Sequence, residues 1–184
     1  MPLSEKHISE KLAAGDFRGA FEDIVSLYGE RMYWHIRRLV LSHDDADDIL
    51  QNSYIKIWKS LPKFRADSGI FTWIYRIIIN ESLNFLRKQN VLSHFSSLDI
   101  ESEAARHIEG NPYFNGDRAQ AALYRAIAKL PYKQRVVFEM RYFDETEYKE
   151  MSKILGTSEG ALKASYHIAY NKIREELAGK SERD

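Results

Sequence analysis

The 184 residues contain no cysteine. A disulfide, a thiolate zinc site and a thiol redox sensor are therefore all excluded. No run of the chain approaches the roughly 18 apolar residues that a membrane span needs. The N-terminal MPLSEKHISEKL lacks the apolar stretch of a secretory leader. These absences fit a bacterial-type cytoplasm and no direct membrane insertion. Gly-rich phosphate loops and nucleophile motifs are missing as well, and the six histidines are scattered. No catalytic residue, metal site or cofactor site is expected. Net charge is also lacking: 27 Lys and Arg balance 27 Asp and Glu. A nucleic-acid binder is usually basic, so this balance argues against one until the charges are mapped. Residues 1–54 carry a net −4, 55–90 a net +5, 91–118 a net −3 and 119–184 a net +2. The charge is segregated, and the basic segment holds the apolar stretch FTWIYRIIIN, residues 71–80.

No strand pattern persists, whereas helical periodicity is nearly continuous. Phe21, Ile24, Val25, Tyr28, Met32, Ile36, Leu39 and Val40 recur at helical steps and predict a helix of about six turns. SHDD breaks it, with Ser42 or Asp44 as candidate cap for the next. Ala46, Ile49, Leu50, Ser53, Tyr54, Ile57, Trp58 and Leu61 form a second stripe, ended by Pro62. PKFRADSG reads as a loop, with Asp67 or Ser68 placed to cap a third helix from about Ile70 to Lys88. Residues 90–118 lose the rhythm and read as a linker between two domains. Ala122, Leu123, Ala126, Ile127 and Leu130 then predict a short helix before Pro131, and Val136, Val137 and Met140 mark another. Tyr148, Met151, Ile154 and Leu155 mark a third, closed by Gly156, and Thr157 or Ser158 can cap a last helix over about Glu159 to Leu177.

Two features bear on function. EYKEMSKILGTSEGALKASYHIAYNKI is a helix, a short Gly-containing turn and a second helix. In a DNA-binding unit of this kind the start of the second helix enters the major groove, although the same pattern also serves as a plain αα-corner. Leu162, Tyr166, Ala169 and Ile173 should face inward, and Glu159, Lys163, Ala164, His167 and Tyr170 outward. The helix carrying FTWIYRIIIN has two faces. Phe71, Ile74, Tyr75, Ile78 and Phe85 can pack inward, while Trp73, Arg76, Asn80, Asn84 and Arg87 share another side. Aromatic, guanidinium and amide groups together suit a single nucleic-acid strand, and they would equally serve as a solvated helix face.

The two halves together resemble the extracytoplasmic-function (ECF) sigma factors of the sigma-70 family. DADDILQNSYIKIWKSLPKFRADSGIFTWIYRIIINESLNFLRKQ is similar to their region 2, and LYRAIAKLPYKQRVVFEMRYFDETEYKEMSKILGTSEGALKASYHIAYNKIREEL to their region 4. The resemblance implies an all-α protein of two small helical domains. These are a region 2 bundle over 15–90 and a region 4 helix-turn-helix domain over 119–178, joined by a flexible linker over 91–118. It implies a factor, not an enzyme, that binds core RNA polymerase through the β′ coiled coil and the β flap, recognises promoter DNA and helps to melt it. An anti-sigma factor, commonly membrane-anchored, would hold it inactive. Asp48, Gln51, Asn52 and Ile55 would form the polymerase-docking surface. Phe64, Arg65, Ala66, Asp67, Ser68, Trp73, Arg76, Asn80 and Arg87 would meet the −10 element, where a base is flipped from the non-template strand. Asn80 would read that base. Ser158, Glu159, Lys163, Ala164, His167 and Tyr170 would meet the −35 element.

The chain departs from the family at the recognition helix. Many relatives carry an arginine-rich K-S-R-x-x-R-A-R pattern where this chain has KASYHIAY, so several phosphate contacts are missing. Either the −35 contact is weak or Tyr166, His167 and Tyr170 take other parts. SHDDADD, with one His and four Asp, reads as a stabilised helix N-terminus and not as a metal site. Two rival readings are a helix-turn-helix regulator that never joins polymerase, which would lack the region 2 half, and a small helical hydrolase using the carboxylates of 44–48, which would lack a partner motif.

Overall fold

In a computed structural model, residues 4–40, 42–92 and 118–181 are described. The described residues are helical almost throughout, with no strand among them. The first half contains α1 (Glu5–Ala13), α2 (Phe17–Val40), α3 (His43–Ser60), a 3₁₀ turn (Leu61–Lys63) and α4 (Ile70–Leu92). The second half contains α5 (Arg118–Ala128), α6 (Tyr132–Tyr142), α7 (Tyr148–Leu155) and α8 (Glu159–Ser181). The expected linker lies, apart from its ends, outside the described residues.

Helix α2 is the axis of the first half and packs against α1, α3 and α4. Its stripe buries Ile24, Met32, Ile36 and Leu39 completely, at a spacing that keeps them on one side. Facing it are Ile49 and Ile57 from α3 and Ile74, Tyr75, Ile78 and Ile79 from α4. Each such side chain removed from water contributes about 1.5–3 kcal/mol. Helix α1 has no counterpart among the sequence expectations. It is held by the fully buried Ile8 and by Tyr28, whose hydroxyl donates to the Glu5 carboxylate.

Caps explain most of the boundaries. The Ser42 hydroxyl accepts the Asp45 amide at 3.3 Å, and Asp44 and Asp45 lie in the first turn of α3, where negative charge meets the positive end of the helix. At α4 the expectation is corrected. The Gly69 carbonyl accepts the Trp73 amide at 3.1 Å, so the cap position falls on Gly69 and not on Asp67 or Ser68. Ala66 stands in the left-handed region at φ 58°, and this turns the loop so that its polar residues face outward. Gly156 ends α7 at φ 64° and ψ 29°, its amide donating to the Ser152 carbonyl at 2.9 Å. The Ser158 hydroxyl then accepts the Ala161 amide at 3.3 Å and starts α8.

A side chain added at Gly156 would meet nothing within 4 Å. Its substitution therefore tests conformation alone. Gly156→Ala should destabilise the chain by about 1 kcal/mol in denaturant melting, because only the left-handed backbone is penalised. An unchanged midpoint would mean that the turn does not need that conformation.

The second half has its own small core of Ile127, Leu130, Phe138, Ala169 and Ile173. Its α6 and α7 also lie against α2 and α4. Val136, Val137, Met140, Met151, Ile154 and Leu162 join the apolar cluster of the first half. Polar groups cross the same seam. Arg38 donates from Nε to Glu139 Oε2 and from Nη2 to Asp144 Oδ1, each at 2.7 Å. His35 Nδ1 lies 2.5 Å from Asp144 Oδ2, and Arg135 Nη1 donates to the Leu39 carbonyl at 2.8 Å. Burial pushes the Glu139 carboxyl up to about 7, against the pull of Arg38. Burial also works to raise Asp144, but His35, Arg38 and Arg31 outweigh it and hold that carboxyl below its ordinary range.

Candidate nucleic-acid interface

The polar side of α4 is present as the spacing predicts. Arg76, Asn80, Asn84 and Arg87 are exposed, one or two turns apart on one flank of the helix. Trp73 shares that flank but is half-buried, with the Phe64 ring 5.0 Å away and tilted by 50°. This aromatic pair joins the loop to the helix, so Arg65, Ala66 and Asp67, all exposed, and the half-buried Ser68 lie beside the start of the same flank. Arg87 donates from Nη1 to Asn84 Oδ1 at 3.3 Å. Such a strip offers a ring for stacking, amides for base edges and guanidinium groups for phosphate. Arg76 is already engaged: its Nη2 donates to the Lys153 carbonyl of α7 at 2.7 Å. Next to it the Thr72 hydroxyl donates to the Glu150 carboxylate, which also draws that carboxyl below its usual range despite partial burial.

On α3 the four residues expected at the polymerase surface, Asp48, Gln51, Asn52 and Ile55, are all exposed. Ile55 is 50 % exposed although α3 has a well-filled inner face. Trp58 is a correction. The apolar stripe assigns it to the core, yet it is 46 % exposed, with an edge-on ring contact to Phe21 at 5.5 Å. Ile57, its neighbour in sequence, is wholly buried and fills the inward position. Trp58 thus extends the exposed surface of Ile55 by one turn. The signal that could have found it is the run Ile55, Ile57 and Trp58, which is too apolar for one inward face. His43, in the acidic cluster that opens α3, is hydrogen-bonded to the Tyr33 hydroxyl at 2.7 Å and lies 3.4 Å from Asp47.

Along α8, Leu162, Ala169 and Ile173 are buried, and Glu159, Lys163, Ala164, His167 and Tyr170 are exposed. Tyr166 is half-buried and stacks on Phe138 at 5.7 Å with the planes 12° apart. It is therefore part of the scaffold. The exposed Ser158 accepts the helix-capping bond through its hydroxyl oxygen, which leaves the hydroxyl proton to donate. His167 Nε2 is hydrogen-bonded to the Asn171 amide at 3.0 Å, and the Lys163 ammonium lies 5.6 Å above the Tyr148 ring. Ile168, which no sequence argument singled out, is 46 % exposed. On this outer face Lys163 stands beside two large exposed side chains, Ile168 and Tyr170.

Comparison with known proteins gives a consistent picture. The family model described as Sigma-70 region 2 matches residues 24–91, and that described as Sigma-70, region 4 matches residues 120–173. The chain is 27 % identical to the RNA polymerase sigma-H factor of Pseudomonas aeruginosa, over 94 % of this chain and 93 % of that one. It is 29 % identical to the ECF RNA polymerase sigma-E factor of Salmonella typhimurium, over 88 % of each. Among solved structures, CnrH in complex with the cytosolic domain of CnrY shares the fold with a TM-score of 0.70 at 19 % identity, over 95 % of this chain and 97 % of that one. The sigma factor RpoE in complex with the anti-sigma factor NepR from Bartonella quintana shares it with a TM-score of 0.66 at 20 % identity, over 86 % of this chain and 96 % of that one.

Proposed function

The chain belongs to the sigma-70 family, as an ECF-type RNA polymerase sigma factor, and we propose a division of its work among the surfaces described above. Sigma factors are DNA-binding transcription initiation factors. Here residues 15–90 act as the unit that joins core polymerase and holds the −10 strand, and residues 119–178 as the unit that meets the −35 duplex, with 91–118 between them. The exposed strip of Asp48, Gln51, Asn52, Ile55 and Trp58 docks on the polymerase. The loop from Phe64 to Ser68 and the flank of Trp73, Arg76, Asn80 and Arg87 take the opened strand. One observation carries this reading most directly: an aromatic pair, two arginines and two amides share one flank in the most basic segment of a neutral chain.

The zero net charge gives little long-range attraction to phosphate, so the isolated chain should bind promoter duplex poorly and core polymerase should rescue it. Reconstitution with bacterial core polymerase, read by footprinting and transcription, tests this. Tight and specific duplex binding by the chain alone at physiological salt would overturn it. A protein anti-sigma factor is the expected inhibitor, on the pattern of the anti-sigma factor NepR in one of the similar structures. In the other, CnrY is named by its cytosolic domain, which favours a membrane-anchored partner here too.

Lys163 and His167 should act differently at the −35 duplex. Lys163→Ala should weaken binding at every sequence and flatten the slope of log affinity against log salt by about 0.9, as expected for one lost phosphate contact. His167→Ala should instead change base preference, with the salt slope kept. Holoenzyme titrations at several salt concentrations on varied −35 sequences check both. Equal, sequence-independent losses would remove His167 from the reading set.

A further inference from the structure

We propose that the hydroxyls of Tyr142, Tyr148 and Tyr170 form an uncharged phosphate grip beside α8 and hold one strand of the −35 duplex. The inference rests on the assignment of α8 to that duplex. Its first observation is a shortage. Between Glu159 and Tyr170, Lys163 is the one Lys or Arg on α8. A duplex must still be positioned through its phosphates, and neutral hydroxyl donors serve for this as cations do. The second observation is three such donors with nothing to bond. Tyr142 and Tyr170 are 48 % and 47 % exposed, Tyr148 is half-buried, and none of their hydroxyls has a hydrogen-bond partner among the described residues. They come from three helices: the end of α6, the start of α7 and the middle of α8.

Packing gathers these rings and fixes them. Phe138 is buried, and it stacks on Tyr142 at 5.1 Å and on Tyr166 at 5.7 Å. The Tyr170 ring lies 6.3 Å from that of Tyr166. The Tyr166 hydroxyl is the meeting point. Burial pushes it up, Tyr148 adds to this, Arg141 opposes it, and Tyr170 and Tyr142 add again. Tyr148 itself lies under two cations. The Arg141 guanidinium is 5.3 Å from its ring centre and the Lys163 ammonium 5.6 Å. Rings held in this way have little side-chain freedom left to lose on binding. Lys163 decides what the grip holds. It belongs to the outward face of α8, so the tyrosines continue the surface that meets the duplex. A phosphate oxygen supplies the acceptor that their hydroxyls lack. The exposed Glu147 and Glu159 offset Arg141 and Lys163, two charges against two. The hydroxyl contacts therefore displace no counterions and leave the salt dependence to Lys163.

Phenylalanine removes each hydroxyl and keeps its ring, so the packing stays and the donor goes. Holoenzyme made from bacterial core polymerase and the full chain is titrated at several salt concentrations. The probe is a fluorescent duplex that the parent holoenzyme selects from a randomised pool. Tyr148→Phe and Tyr170→Phe should each weaken binding about fivefold, the usual effect of one lost hydrogen bond. The triple variant that adds Tyr142→Phe should weaken it about a hundredfold, since the contacts are separate. The loss should be equal at every base sequence and should leave the salt slope unchanged, unlike that of Lys163→Ala. Thermal melting shows that each variant is folded. Parent-like binding by the triple variant would overturn the proposal. A flattened slope would do the same, because the tyrosines would then act only by placing Lys163. So would a base-dependent loss, because they would then read sequence. If the triple variant keeps the duplex and loses affinity for core polymerase, measured by competition, the patch docks protein and the grip fails. In each of these cases the −35 assignment stands as long as Lys163→Ala weakens duplex binding. If Lys163→Ala and the triple variant both leave it unchanged, the assignment itself fails and the grip falls with it.

Discussion

Trp58→Ala is expected to weaken binding to core polymerase by about thirtyfold or more while lowering the melting temperature by only a few degrees. The magnitude follows from what an exposed tryptophan at the centre of a contact patch normally contributes, about 2 kcal/mol or more when truncated. The small size of the stability effect follows from its surroundings. The ring is 46 % exposed, and its edge-on contact with Phe21 is an interaction of about 0.5–1.5 kcal/mol. Helix α3 does not need it for the core, because Ile49, Ser53 and Ile57 already fill the inward face. A large apolar ring left in water beside Ile55, and rimmed by Gln51 and Asn52, is arranged as an interface is: an apolar centre with a polar border. Ile55→Ala should follow in the same direction with a smaller loss. Affinity measured by competition for core polymerase, beside thermal melting of each variant, decides the matter. A variant that melts early but binds normally would return Trp58 to the core.

The error over Trp58 shows where the sequence stops being legible. Periodicity identifies α2, α3, α4 and α8 because each has one dominant apolar stripe, and the buried residues Ile24, Met32, Ile36 and Leu39 follow it. At Ile57 and Trp58 two large apolar residues are adjacent, and a rotation of 100° per residue lets only one of them face inward. Nothing local says which. Helix α1 escapes notice for the opposite reason: Ile8 is its only fully buried side chain, so its pattern is too sparse. The turn at Gly156 was readable because glycine is the residue that a left-handed helix end requires, whereas the left-handed Ala66 carries no such mark. The seam between the halves is the least legible part. Arg38 and Glu139 are 101 residues apart, and no local rule pairs them. One hint was available: Glu139 interrupts the apolar run VVFEM, and a carboxylate in such a run needs a cation from elsewhere. The recognition helix shows the reverse case. Its buried and exposed faces were legible residue by residue, but only the packing of Tyr166 on Phe138 separates scaffold from reading surface.

Asn80→Ala is the second substitution from which a large effect is expected, and it falls on function alone. Asn80 follows three isoleucines, two of which, Ile78 and Ile79, are buried, so the sequence leaves open whether its amide supports the core or faces outward. The side chain is exposed, seven residues beyond Trp73 and four beyond Arg76 on the same flank. An exposed amide that leaves no buried partner behind costs little stability when removed, within about 0.5 kcal/mol. A base flipped from the duplex is different. Unstacking costs a few kcal/mol, and hydrogen bonds to the base edge, with stacking on an aromatic ring, must offset that cost. Loss of one such amide should remove about 1–3 kcal/mol of discrimination, as at other base-reading side chains. Promoter opening should therefore fall about tenfold or more, with relaxed selectivity at one position of the −10 element and full selectivity at the others. Asn84→Ala, one turn further along, provides the control for loss of an amide on the same flank. The measurement is transcription and permanganate footprinting on promoters varied at each −10 base, beside thermal melting of both variants. If Asn80→Ala melts several degrees lower while its folded fraction keeps full base selectivity, the amide is scaffold, and the reading of the flipped base must lie with Trp73, Arg76 and the loop.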